Sequence, residues 1–259
     1  MISALFNEIL YRPILNALIF LYNTIPGHNF GLAIILLTII IRFILFPLNQ
    51  KSLKAQSAMT KIQPELKKIQ QKYKDNSTER NKAIMAFYKE NKVNPASGCL
   101  PILIQFPILI ALFQVLRQVF DPSILDQLYY FIQRPEVINP SFLGIDLALP
   151  NLSLAVLAGV FQFIQSKLMM GAKKDTGQTK KEGFDMASLM GKQMLYFMPI
   201  FTVVIASRFP AGLALYWTMT TLFSIGQQYL INRKSEKPVN VIARKESVAL
   251  DGRLTKQSR

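Results

Sequence analysis

Arg42 is the residue whose type and position suggest the most chemistry. It interrupts an otherwise apolar run at 30–48 that is long enough to cross a bilayer. A guanidinium at such a depth costs at least about 2.5–3.5 kcal/mol on insertion scales, and no Asp or Glu lies in the core of any predicted span. Snorkelling to the headgroups would require the side chain to lean against its helical tilt toward the helix N-terminus. We therefore expect water, polar side chains or a substrate beside Arg42.

Polar residues on four apolar runs are the second feature. Thr38, Arg42 and Asn49 share one face of the first run. The others are Gln105 on the second run, Gln162, Gln165 and Ser166 on the third, and Trp217, Thr220, Thr221, Ser224, Gln227 and Gln228 on the last. Each alone is typical of hydrogen bonds that hold a helix bundle together. Combined with one uncompensated arginine, they favour a hydrated concavity.

Several chemistries lack the residues that they need. The single Cys99 excludes an intramolecular disulfide, and the single His28, which we expect at the membrane interface, cannot build a multi-histidine metal site. The serines of the apolar runs have no His or Asp companion there: Ser153, Ser166, Ser207 and Ser224. No phosphate-binding GxxxxGK[ST] loop occurs. The sequence therefore predicts neither an enzyme nor a cofactor.

Apolar runs must position these residues. Of 259 residues 51% are hydrophobic and 17% are charged, and the charges cluster between runs, as in a polytopic membrane protein. The predicted spans are 30–48, 100–116, 147–168, 194–207 and 213–231. The fourth is short. Because polar residues and Pro13 interrupt 5–25, we interpret 1–29 as an extracytoplasmic, interfacial amphipathic helix, with a sixth span as the alternative.

Orientation follows from the basic residues between these spans. Lys and Arg number 11 in 49–99, 2 in 117–146, 5 in 169–193, 1 in 208–212 and 8 in 232–259. Since basic loops stay in the cytoplasm, we expect the N-terminus outside and the C-terminus inside a bacterial cell membrane. The basic tail 232–259 could touch ribosomal RNA or anionic lipid, and its net charge separates neither alternative.

Residues 51–92 predict two charged helices, 51–74 and 78–91, joined by turn-forming residues. Apolar positions at 3–4 spacing make one antiparallel seam, formed by Ile62, Leu66, Ile69 and Tyr73 against Ile84, Phe87 and Tyr88. Pro64 would kink the first helix or restart it. A connector needs only a few residues, so we favour a cytosolic docking arm centred on Lys67, Lys68, Tyr73 and Lys74 over a solvated connector.

Four segments resemble the YidC/Oxa/Alb family of membrane protein insertases. They are IRFILFPLNQKS at 41–52, NPASGCLPILIQFPILIALF at 94–113, FQFIQSKL at 161–168 and FPAGLALYWTMTTLFSIGQQYLI at 209–231. They occur in the family's order, and the resemblance covers 1 to about 235. It implies an all-α integral membrane protein: a five-span core at 30–231, an N-terminal interfacial helix and a cytoplasmic helical hairpin. The large extracytoplasmic domain and lipoprotein-type cysteine of other members are missing, so this resembles a minimal bacterial form.

The resemblance also implies a site. Arg42 would be the groove arginine, and Gln105, Gln162 and Trp217 would line or flank the groove, with Thr38 and Thr221 as neighbours. The groove would shelter hydrophilic segments of nascent membrane proteins while their apolar helices pass into lipid. Expected partners are these clients, membrane lipids, the ribosome through basic loops and tail, and a Sec-type translocon. A transporter or channel is the alternative, although no internal repeat or intramembrane acid supports it.

Overall fold

A computed structural model describes residues 2–91, 93, 94, 100–169 and 193–234. Most of the predicted loop 169–193, most of the tail 232–259 and Cys99 lie outside the described residues. The helices are α1 (Ile2–Phe6), α2 (Arg12–Thr24), α3 (Phe30–Ile44), α4 (Phe46–Lys72), α5 (Ser77–Glu90), α6 (Leu100–Gln118), α7 (Leu152–Met169), α8 (Met198–Ala206) and α9 (Ala211–Lys234). Two π-helical turns, Asn7–Tyr11 and Gln193–Phe197, lead into α2 and α8, and Pro122–Gln127 is a 3₁₀ helix.

The described chain is mostly helical, which confirms the predicted helical membrane class in its broad form. Two helical stretches, Ala4–Thr24 and Leu152–Met169, are long and apolar enough to cross a membrane. The pair Phe30–Ile44 and Phe46–Met59 makes a third candidate if it is one bent span, and Leu103–Gln118 and Leu195–Ala206 are shorter apolar helices. The five-span core therefore stays a prediction.

Asparagine side chains set the starts of three helices. Asn29 accepts a hydrogen bond from Leu32 N at 3.0 Å, Asn76 one from Glu79 N at 3.1 Å, and Asn151 one from Leu154 N at 3.0 Å. Each satisfies a backbone donor that has no partner within its helix. The hydrogen bond to the Asn151 side chain explains why α7 begins at Leu152, whereas the apolar run predicted a start at 147.

A sharp bend divides the first apolar run. The axes of α3 and α4 differ by 68° across Leu45. Pro47 lies in the first turn of α4, where its missing N–H costs no helical hydrogen bond. At 1.5 Å per residue, α3 is roughly 22 Å long, which is shorter than the roughly 30 Å hydrocarbon core. The predicted span 30–48 is thus a shorter helix whose last turn carries Arg42.

Residues 119–151 form a compact segment, here called the cap. Its two-stranded antiparallel hairpin pairs β1 (Ser141–Phe142) with β2 (Ile145–Asp146), turning through Leu143 and Gly144 at φ of 50° and 78°. The cap also provides hydrogen-bond acceptors for the free backbone N–H groups at the start of α9. Ala211 N donates to Leu149 O at 2.8 Å, and Gly212 N donates to Leu147 O at 3.0 Å. At its other end, hydrogen bonds from the backbone and side chain of Ser123 lower the pKa of Asp121.

The N-terminal helix lies along the cap. Tyr11 Oη donates to Gln118 Oε1 at 3.0 Å, at the end of α6. Asn16, only 2% exposed, accepts from Tyr129 N at 2.6 Å, and Tyr22 Oη donates to Val137 O at 3.3 Å. Contacts with α6 or the cap thus extend from Tyr11 to Tyr22, and α2 also packs against α3.

The helices α4 and α5 include most of the residues predicted as two charged helices, although α4 begins earlier than predicted, at Phe46, and the cytoplasmic hairpin stays a prediction. They pack against each other, Leu66 is buried, and the other apolar residues of the predicted seam are partly buried. The helix α4 continues through Pro64, whose ring is exposed. Burial raises the pKa of Tyr88 in the second helix.

Candidate functional site

The site is built on two parallel helices, α3 and α9. Near their starts, a Cβ added to Gly212 would lie 3.1 Å from Ile34 Cδ1. Further along, the rings of Phe43 and Phe223 meet edge to face with centroids 5.5 Å apart. Both contacts advance in the same chain direction, so Arg42 is level with the turn of α9 that begins near Thr220.

Arg42 is buried, with 8% of its surface exposed. Its guanidinium lies near the hydroxyl of Tyr216, about one turn closer to the start of α9. The Tyr216 hydroxyl in turn accepts a hydrogen bond of 2.6 Å from Gln105 Nε2 on α6. Three helices therefore contribute to the surroundings of Arg42, and the side chain leans toward the start of α3, in the direction that helical side chains prefer.

In the part of the chain that the structure describes, no acidic side chain compensates the charge on Arg42. Among the described residues no carboxylate lies within ion-pair distance of its guanidinium, and its Nε has no hydrogen-bond partner. Buried side-chain atoms elsewhere on the surrounding helices also lack partners in the described part of the chain: Asn49 Nδ2 on α4, Gln162 Oε1 on α7, and Nε2 and Oε1 of Gln227 on α9. Buried polar atoms in proteins are nearly always satisfied, so these atoms are open to a partner from outside the described residues, such as water or a ligand.

The predicted site residues separate into two groups. Gln105 joins Arg42 through Tyr216, and Gln162 and Trp217 are partly buried on α7 and α9. Thr38 and Thr221 are buried, but their hydroxyls donate to Ile34 O and Trp217 O of their own helices. No described contact joins Gln162 or Trp217 directly to Arg42, so the grouping of these two with the arginine stays a prediction.

Tyr216 is a residue of the site that was not predicted from the sequence. Its neighbours in LALYW are apolar or aromatic, so its position is typical of a core residue, and it is 2% exposed. A signal was nevertheless present, because Tyr216, Thr220, Ser224 and Gln227 recur at a spacing of 3–4 residues and share a face of α9. A buried tyrosine needs a partner for its hydroxyl, and here that partner is Gln105.

Apolar side chains cover the opposite surfaces of these helices. On α3 the exposed residues are Leu32, Leu36, Ile40, Phe43 and Ile44, and on α7 they are Leu152, Val156, Leu157, Val160, Ile164 and Leu168. Adjacent α8 exposes Ile200, Phe201 and Val204. Contiguous apolar surface of this extent is typical of contact with lipid, so the polar site lies between helices whose outer faces suit a membrane.

The predicted docking residues lie at the far end of α4. Lys68 and Lys74 are exposed, and Tyr73 is partly buried with Lys72 Nζ 5.5 Å from its ring centroid. Lys67 is partly buried and has an interaction partner. The exposed lysines give this end of the hairpin a basic surface.

Comparison with known proteins places this architecture in a family. A profile of the family described as 60Kd inner membrane protein matches residues 20–238, from within α2 to beyond α9. The chain belongs to this family. The match includes every helix that contributes to the Arg42 site, and it confirms the resemblance drawn from the four sequence motifs.

Individual members of the 60Kd inner membrane protein family agree. "Membrane protein insertase YidC" of Fusobacterium nucleatum is 41% identical over 229 residues, covering 87% of this chain and 98% of the relative. The protein of that name from Oceanobacillus iheyensis is 38% identical over 211 residues, covering 80% and 76%. "Membrane protein insertase MisCA" of Bacillus subtilis is 39% identical over 224 residues, covering 84% and 76%.

Proposed function

We propose that this protein is a membrane protein insertase that moves hydrophilic segments of its clients through a hydrated groove containing Arg42. The observation that carries the mechanism is the burial of Arg42 without a carboxylate, beside further buried polar atoms that lack partners in the described protein. The names of the relatives support the insertase function. The polar atoms support the groove, since such atoms are costly unless water or a client satisfies them.

Arg42 attracts negative charge on the client. A nascent chain brings a short hydrophilic tail or loop, often acidic, to the groove, whose water lowers the cost of removing those polar groups from the cytosol. Because apolar helices wall the groove, the guanidinium attracts a carboxylate more strongly than it would in bulk water. The client's apolar helix then leaves along the lipid-facing side. Burial of its side chains drives the reaction, so no nucleotide is required.

Short helices support a thin membrane at the groove. The helix α3 and the pair formed by Gln193–Phe197 and α8 are each shorter than a typical span. A bilayer accommodates short apolar helices by thinning locally. A thinner hydrocarbon layer shortens the distance that a hydrophilic segment must cross, which adds to the effect of the groove.

We place the cap and the N-terminus outside the cell and the hairpin α4–α5 and the tail in the cytoplasm, as the distribution of basic residues indicates. The stretch Ala4–Thr24 could span by length and composition alone. Its hydrogen bonds to the cap and to the end of α6 favour an interfacial position, because a perpendicular helix could not keep Tyr11 and Tyr22 at the same membrane face.

Basic surfaces in the cytoplasm suit two partners. The hairpin end with Lys68 and Lys74, together with the tail, would meet the phosphates of ribosomal RNA as the nascent chain emerges. A Sec-type translocon is the second partner, for clients with large hydrophilic domains. The transporter alternative receives no support from the described helices, which carry no acid near Arg42 that could couple an ion.

Thiol accessibility tests whether the groove contains water. In a Cys99→Ser background, Gln162→Cys should react with a water-soluble maleimide in native membranes, because water reaches the groove. Leu157→Cys on α7, whose side chain is 40% exposed on the apolar face, should stay unreactive because it meets lipid. Equal protection of both positions would contradict the hydrated groove.

A further inference from the structure

Two buried amide side chains, here together called the amide patch, lie beyond Arg42 on helices α4 and α9, which pack against each other. Asn49 on α4 and Gln227 on α9 are 8% and 4% exposed. Asn49 Nδ2 and both polar side-chain atoms of Gln227 have no hydrogen-bond partner among the described residues. Buried amides are normally paired, so these three atoms are open to a partner from outside the described residues.

The two amides lie beyond Arg42 in the direction in which α3 and α9 run, on α4 and α9. After the ring contact of Phe43 with Phe223, α3 ends, the chain bends at Leu45, and α4 packs against α9. Gln227 lies about one helical turn beyond Phe223, and Asn49 lies in the first turn of α4. In the orientation proposed above, this is the cytoplasmic side of Arg42. A client segment would therefore pass the amides before it reached the guanidinium.

The chemistry of the amides differs from that of Arg42. A guanidinium only donates hydrogen bonds and prefers negative partners, whereas a primary amide both donates and accepts and carries no charge. A peptide group offers the same pair of functions. An extended segment leaves its N–H and C=O groups available, while an apolar helix satisfies its own. The amides therefore match the backbone of an extended client and do not match a helical one.

We propose that Asn49 and Gln227 bind the peptide backbone of a client's extended hydrophilic segment, whatever the charge of its side chains. This inference rests on the proposed insertase function, and it means that the groove selects client segments in two ways. The amide patch selects extended polar backbone over helix, and Arg42 adds a preference for acidic residues. Clients with neutral tails would depend on the first selection alone.

The test uses two clients and purified protein in liposomes. The clients are single-span proteins with matched N-tails, one containing Asp and Glu, the other with Gly at those positions. Insertion is measured by protease protection for the wild type, Gln227→Leu, Asn49→Val and Arg42→Ala. Thr218→Val is the matched control, because Thr218 is buried on α9 with its hydroxyl bonded to Ala214 O and lies off the polar face. Equal thermal stability of Gln227→Leu and Thr218→Val in detergent confirms folding.

The expected result is a loss of at least about fivefold in initial insertion rate for Gln227→Leu and Asn49→Val with both tails, the loss of one or two hydrogen bonds. Arg42→Ala should lower the rate mainly for the acidic tail. If Arg42→Ala impairs insertion but neither amide variant does, the amide inference is wrong and the proposed function stands. If the wild type inserts neither client above the level seen with empty liposomes, both the amide inference and the proposed function are wrong.

Discussion

Gln105 Nε2 donates a hydrogen bond of 2.6 Å to Tyr216 Oη, which joins α6 to α9 beside Arg42. This contact links two of the sequence motifs at the level of the buried charge, although Tyr216 was not among the residues that the motifs singled out. Because Tyr216 lies near Arg42, the bond fixes the position of a neutral hydroxyl close to the buried charge.

Loss of this hydrogen bond should affect the orientation of the Arg42 guanidinium more than the folding of the protein. Tyr216→Phe removes the hydroxyl and leaves the ring, so we expect a stability loss of about 1 kcal/mol, typical of one hydrogen bond. We also expect a several-fold lower insertion rate for acidic-tailed clients. Thermal unfolding in detergent and insertion into liposomes measure the two effects. Phe113→Leu, an aromatic change at the Phe209 contact, is the control for general perturbation, and a Tyr216→Phe variant no slower than wild type would remove the tyrosine from the mechanism.

The close approach of Gly31 and Phe142 should fix the cap on α3. A Cβ at residue 31 would overlap the Phe142 ring, so Gly31→Ala should destabilise the protein by about 1–3 kcal/mol, as overpacking does. The measurement is thermal unfolding of Gly31→Ala, Phe142→Ala and the double variant. In the double variant the overlap is absent, so the two losses should be less than additive. Simple additivity would show that the two residues do not meet.

Charge reversal at the end of α4 should weaken ribosome binding selectively. Lys68→Glu with Lys74→Glu replaces two exposed positive charges, and each lost phosphate contact should lower the affinity and reduce its salt dependence. Co-sedimentation with ribosomes at several salt concentrations measures this. Insertion of a purified client into liposomes should not change. Lys51→Glu with Lys54→Glu, at the opposite end of α4, is the matched control, and equal binding by both double variants would exclude this docking surface.

Single cysteines should report the orientation. In a Cys99→Ser background, Tyr130→Cys in the cap replaces a fully exposed residue and Met85→Cys replaces an exposed one on α5. An impermeant maleimide added to intact cells should label residue 130, whereas residue 85 should react only after permeabilisation. Leu5→Cys should behave like residue 130 if the N-terminal helix lies in the outer interface. Labelling of residue 5 only after permeabilisation would indicate a sixth span instead.

Local sequence signals predicted much of the fold. The turn before Ser77 and the apolar spacing around Leu66 depend on neighbours within a few residues, so the sequence could predict them, whereas the helix caps at Asn29 and Asn76 were not predicted. The bend at Leu45 was not predicted, because an apolar run does not show whether the helix axis changes direction within it. Pro47 nevertheless marks the first turn of α4. The cap was read as a plain loop, since its order depends on distant partners such as Asn16 and Gly31.

The candidate site also contains one residue that the sequence predicts and several relationships that it does not. Arg42 could be recognised because a charge in an apolar run is costly wherever it points. Its relation to Tyr216 and Gln105 could not, because the register between α3, α6 and α9 depends on contacts such as Ile34 with Gly212. The same limit applies to Asn49 and Gln227, whose lack of partners among the described residues is visible only when the surrounding helices are in place.

The most direct test of the central claim is insertion of an acidic-tailed single-span client into liposomes that contain only this protein, read by protease protection. Wild type, Arg42→Lys and Arg42→Ala are compared at equal protein density. The account predicts insertion by the wild type, partial activity for Lys because the charge is kept, and a loss of about tenfold or more for Ala, equivalent to about 1.4 kcal/mol. Full activity of Arg42→Ala would contradict the role of the buried charge.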